Sequence, residues 1–107
     1  MKAFYTLKAG DEEYKLRLTA SSLWAIEKKL GKSLFTAFDS TQDNMIEIII
    51  TILWGAMQPL NANYTFEEAT AMFDQYIDDG NTIEDLMREI NSLFEVSGFF
   101  KKGQVKK

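Results

Sequence analysis

The chain is 107 residues long, 46% apolar and 26% charged, which allows one packed domain and excludes a disordered segment or a pair of domains. Cys and His are both absent, which removes disulfides, thiolate nucleophiles, zinc-thiolate sites and the commonest general base. The net charge of −4 is uneven: residues 1–38 carry seven Lys/Arg against four Asp/Glu, residues 39–95 twelve acids and only Arg88, and residues 96–107 four Lys and no acid.

Ala3, Tyr5 and Leu7 alternate with Phe4, Thr6 and Lys8, and after Ala9-Gly10-Asp11-Glu12 the same period resumes in Tyr14, Leu16 and Leu18. Two such runs about a Gly-Asp turn predict a β-hairpin with one apolar face, which needs a packing partner because a lone hairpin is marginal in water. From Ala20 the period becomes helical, with Thr19 as N-cap, Leu23, Ile26 and Leu30 as the stripe and Gly31 as the stop. Trp24 stands about 100° round the helix from Leu23, off that stripe. Ser33 suits the cap of a short helical turn over residues 34–38.

The next helix is expected from Asp43 to Gln58, apolar on nearly every side apart from a narrow strip of Asp43, Glu47, Thr51 and Gly55. A helix of this kind belongs at the centre of a fold. Pro59 stops it. Thr65 and Glu68 then form a capping box before the apolar face of Phe66, Ala69, Phe73, Tyr76 and Ile77, which Gly80 ends. Thr82 caps the last helix, where Ile83, Leu86, Met87, Ile90, Leu93 and Phe94 line one side and Gly98 is the expected C-cap. The predicted fold is mainly α: an N-terminal β-hairpin followed by about four helices around the central apolar helix. It forms one domain over residues 1–100 with a basic flexible tail over 101–107, for which contact with an acidic partner is the other reading.

The acidic middle repels phosphate backbones, so no nucleic-acid partner is expected. The apolar stretch Ile46–Met57 is interrupted by Glu47, Thr51 and Gly55 and falls short of the roughly 20 apolar residues of a membrane span. MKAFYTLKAG lacks the apolar core of an export signal, so the expected location is the cytoplasm.

Few groups suggest chemistry. Asp74, Asp78, Asp79, Glu84 and Asp85 cluster about Gly80, but their spacing is not that of a calcium loop, and a solvated helix face explains them as well. Glu67/Glu68 and Glu84/Asp85 sit where first-turn acids stabilise helices. Ser21-Ser22 with Lys28-Lys29 imitates a Ser-Lys dyad on an ordinary helix surface. No catalytic residue, metal ligand or cofactor site is therefore expected.

The aromatics say more. There are fourteen (eight Phe, four Tyr, two Trp), more than the helical stripes absorb. Trp24 lies off its stripe. Phe35 and Phe38 share a helix too short to bury both, and Phe99 and Phe100 follow a helix stop. Surplus aromatics near the ends of small domains mark partner sites, so these five residues are the candidate binding set, with core packing as the alternative for each.

Tyr14-Lys15-Leu16-Arg17-Leu18-Thr19, then Leu23-Trp24-Ala25-Ile26-Glu27-Lys28-Lys29-Leu30-Gly31-Lys32-Ser33, then Ile52-Leu53-Trp54-Gly55-Ala56, and lastly Thr65-Phe66-Glu67-Glu68-Ala69 through Asp78-Asp79-Gly80, follow an order that resembles the tail assembly chaperones of long-tailed phages and prophages of Gram-positive bacteria. The resemblance covers about residues 3–98. It implies a non-catalytic protein of the bacterial host cytoplasm that coats the tape measure protein and is absent from the mature virion. Many such proteins also occur in a longer frameshifted form that meets the tail tube protein, and the resemblance implies that this chain is the short form. The resemblance also makes homo-oligomers plausible. The rival reading is a structural tail or connector protein of the virion; a helical transcription factor would need a basic recognition helix, and the last two helices offer only Arg88.

Overall fold

The computed structural model describes residues 4–39 and 41–101, without the side chains at 35, 38, 39 and 41–43. Strands β1 (Tyr5–Ala9) and β2 (Glu12–Leu16) pair antiparallel, with Tyr5 opposite Leu16 and Leu7 opposite Tyr14. Ala9 pairs with Glu12, so Gly10 and Asp11 alone make the turn. Gly10 takes a φ of 65°, the left-handed conformation that a two-residue hairpin turn requires and glycine adopts without steric cost. As the alternation predicts, Leu7, Ala9, Leu16 and Leu18 are buried, while Thr6, Lys8 and Lys15 face outward.

Three main-chain donors fix the hairpin to the helices. Gly10 N–H donates to Asp79 Oδ2 (2.6 Å), Arg17 N–H to the carbonyl of Ala56 (2.9 Å) and Leu18 N–H to Ser97 Oγ (2.9 Å). The second bond satisfies one of the carbonyls that a helix C-terminus leaves without an internal partner.

Helices α1 (Ala20–Leu30), α2 (Leu34–Asp39), α3 (Thr41–Met57), α4 (Phe66–Asp78) and α5 (Ile83–Val96) follow. Four are long; α2 is the expected short turn, and Ser33 Oγ accepts from Thr36 N–H at its start. Capping boxes open α1, α4 and α5, built from Thr19 with Ser22, Thr65 with Glu68 and Thr82 with Asp85. Ser97, one residue before the expected Gly98, is the C-cap of α5, and Gly98 takes the left-handed position that follows it. Within α3, Asn44 leaves helical geometry (φ −135°, ψ 39°), so the unbroken helix starts after Asn44 rather than at Asp43.

Helix α3 is the hub. Ile48, Ile49, Ile50, Ile52, Leu53, Ala56 and Met57 are all buried, and α1, α2, α4 and β2 pack on it. The strip of Thr51 and Gly55 does not face water. Thr51 is fully buried, its hydroxyl donates to the carbonyl of Glu47 (2.6 Å), and Gly55 lies under Ile26 of α1. The last two helices meet the hub to different extents. Helix α4 packs on both α3 and β1, and α5 packs on β1, with Leu86, Ile90 and Leu93 meeting Tyr5, Leu7 and Leu16 and reaching Leu53 behind them. The apolar face of the hairpin forms most of the seat of α5.

Candidate functional site

Helix α1 buries Ser22 and Ile26, which leaves Trp24 on the outward side with 68% of its surface exposed. Lys28, one turn on, places Nζ 5.2 Å from the indole centroid, a cation–π distance that partly orients the ring. Phe99 and Phe100 differ in burial. Phe99 is 42% exposed, while Phe100 is half-buried and stacks on Phe94 with centroids 4.7 Å apart and planes 16° from parallel. The side chains of Phe35 and Phe38 lie outside the described residues, as does the expected tail from residue 102 onward. The Leu18–Ser97 bond brings the start of α1 to the end of α5, so Trp24 lies within about two helical turns of that junction and Phe99 two residues beyond it.

Two clefts were not visible in the sequence. One is a groove of about 320 Å³ between α1 and the end of α3, lined by Thr19, Ser21, Ser22, Ala25, Trp54, Gln58 and Pro59. The other, of about 310 Å³, is polar and centres on Glu89 of α5, whose carboxylate accepts from the hydroxyls of Tyr5 in β1 and Tyr76 in α4 (3.1 Å for Tyr76). Burial, reinforced by the neighbouring Glu89, pushes both hydroxyls above the usual tyrosine range, so they stay protonated donors. The trio ties hairpin, α4 and α5 together. Phe4, Ile46, Leu60 and Val96 are further exposed apolar side chains. Of these, Phe4 was legible as the aromatic on the polar side of the hairpin alternation.

Some of the groups weighed for chemistry have structural partners. Asp79 accepts from Gly10 N–H and from Gln75 Nε2 (2.9 Å), and Asp85 accepts from Thr82 N–H (2.8 Å) and pairs with Arg88. These bonds hold both carboxyls below the usual range. Ser22 Oγ accepts from Thr19 N–H and donates to the carbonyl of Thr19 (3.0 Å), so it belongs to the cap of α1. Among the described residues no three acids converge as metal ligands, and no helix is long and apolar enough to cross a membrane.

A model of the family of unknown function DUF6096 matches residues 1–107. The chain belongs to this family. No curated protein and no solved structure matches it. The surface of this DUF6096 chain is divided by charge. Exposed acids on α4 and α5 (Glu67, Glu68, Asp74, Asp78, Glu84) contrast with exposed Lys28 and Lys29 beside Trp24 on α1.

Proposed function

We propose that this protein is a non-catalytic tail assembly chaperone of a long-tailed phage or prophage, which binds the tape measure protein and keeps it soluble while the tail is built. The observation that carries the proposal is Trp24, left 68% exposed by a fold whose core is already filled by α3 and its neighbours. Large aromatics anchor protein contacts, and an indole mostly in water contributes little to folding. The order of segments that resembles such chaperones supports the same reading. An assembly chaperone needs apolar anchors together with enough like charge to keep the complex in solution, and the acids of α4 and α5 supply that charge. Each contact is weak, and many copies along a long partner give the avidity.

On this reading the chain acts in the bacterial host cytoplasm and leaves as tail tube subunits assemble, with a longer frameshifted form making the contact to the tube protein. Co-expression with the tape measure protein tests it. A soluble complex is expected with the native chain and is lost with Trp24→Ser; an unchanged solubility of the tape measure protein at every ratio overturns the proposal. Detection of the chain in purified virions would instead make it a structural tail or connector protein.

A further inference from the structure

The groove between α1 and the end of α3 has unequal walls. Ser21 and Ala25, one turn apart, keep the α1 side low, while Trp54 and Pro59 close the other. Gln58 is fixed there, since its amide donates to the carbonyls of Trp54 and Tyr64 (both 3.1 Å). Two lysines border this trough. Lys29 Nζ lies 5.2 Å from the Trp54 ring centroid and 4.7 Å from that of Phe66, and Lys28 lies over Trp24. Helical spacing puts Trp24 and Lys28 within about 60° of Ser21, on the outer lip of the groove. Among the described residues neither lysine has a carboxylate partner.

We propose that this groove docks an acidic amphipathic helix of a partner protein. A large apolar side chain of the partner fills the space over Trp54, and a Glu or Asp one turn away pairs with Lys28 or Lys29. The form of the partner follows from the walls. Both are helices whose backbone groups are bonded internally, so an extended strand finds no ladder to join, whereas a helix needs only a side-chain stripe. Its charge follows from the lysines. Lys28 and Lys29, both exposed beside the groove, attract a carboxylate, while the acids of α4 and α5 repel the same partner elsewhere, so the helix is directed to this one face. The assignment deepens the chaperone reading, on which the identity of the natural partner rests, by naming the surface and the chemistry it selects.

The test uses the full chain and a synthetic amphipathic helix with a Leu stripe flanked by Glu, against a twin with Lys in place of Glu. Trp24 and Trp54 are the two tryptophans of the chain, so indole emission reports on the groove directly, and calorimetry supplies affinities. The Glu peptide is expected to bind about tenfold or more tighter than its twin, Lys28→Glu to narrow or invert that ratio, and Ala25→Glu to abolish binding of the Glu peptide. Lys28 is exposed, so its variant keeps the fold (checked by circular dichroism) and the result interpretable even if Ala25→Glu unfolds. Equal affinity for the two peptides, absence of any emission change or heat, or a Lys28→Glu ratio equal to the native one overturns the proposal. So does concentration-dependent self-association that Ala25→Glu removes, which would give the groove to a second copy. None of these outcomes depends on the tape measure protein, so failure here leaves the chaperone reading to its own co-expression test.

Discussion

Gly55 of α3 and Ile26 of α1 meet with no space for another carbon. A Cβ at position 55 would stand 2.3 Å from Ile26 Cγ1 and 2.5 Å from its Cδ1. Ile26 is fully buried, so it has little freedom to retreat. The groove and Trp24 lie on the same pair of helices, and this contact sets how closely α1 sits on the hub.

Gly55→Ala is therefore expected to destabilise the fold by about 1–3 kcal/mol through overpacking. In an Ile26→Ala background the sign should reverse. The added methyl then meets a void, and Ala exceeds Gly in helix propensity by roughly 1 kcal/mol. A double-mutant cycle in urea measures the coupling directly, and additivity of the two changes would refute the close contact.

The Glu89 clasp gives a second expectation. Replacing Glu89 by Ala leaves the Tyr5 and Tyr76 hydroxyls without their charged acceptor, a loss on the order of 1.5–3 kcal/mol per bond before compensation by water. Glu89→Gln keeps one acceptor oxygen and should fall between native and Ala in chemical denaturation.

Tyr5 and Tyr76 also contribute to the alkaline limb of stability, as the buried Tyr64 and the half-buried Tyr14 do. Their hydroxyls titrate higher in the folded chain than in the unfolded one, chiefly through burial, so the stabilisation is complete below the unfolded tyrosine value near 10 and is lost as pH rises beyond it. Denaturant midpoints measured from neutral to strongly alkaline pH should fall above pH 10 in the native chain and fall less in the Tyr5→Phe, Tyr76→Phe double variant.

Asp79 acts at the opposite end of the scale. Its hydrogen bond from Gly10 N–H, with that from Gln75, depresses its carboxyl, so the contribution is present above the unfolded carboxylate value and is lost as pH falls through the lower folded one. Asp79→Asn should flatten the acid limb of the stability profile while leaving its alkaline limb unchanged. An identical acid limb would mean that the hairpin turn gains nothing from this anchor.

Trp24→Ser is expected to change folding stability by no more than about 0.5 kcal/mol, because the indole is mostly in water. Thr82→Ala, which removes a cap of α5, should cost about 1 kcal/mol. The pair separates a surface kept for partners from one kept for folding when thermal melts are set beside partner solubility.

Those elements whose signals are local were legible in the chain itself. The hairpin follows from its period of two about Gly10-Asp11, and α4 and α5 follow from capping threonines ahead of clean apolar stripes. Trp24 was legible as an outlier for the same reason, since a regular stripe makes a departure visible. Helix α3 has almost no polar side, so periodicity shows neither the break at Asn44 nor the turn of Thr51 and Gly55 toward α1. Nor does local pattern tell Phe99 from Phe100, because what separates them is the ring of Phe94. The groove and the Glu89 clasp lie further from reach. Each is assembled from residues on separate elements, with Tyr5 and Glu89 84 positions apart.

The hairpin donors at Gly10 and Leu18 wait for acceptors 69 and 79 residues downstream. During translation, therefore, the two strands leave the ribosome ahead of both the α4 anchor and the α5 anchor. Closure is a late event, governed by the most distant contacts rather than by the quick local winding of helices.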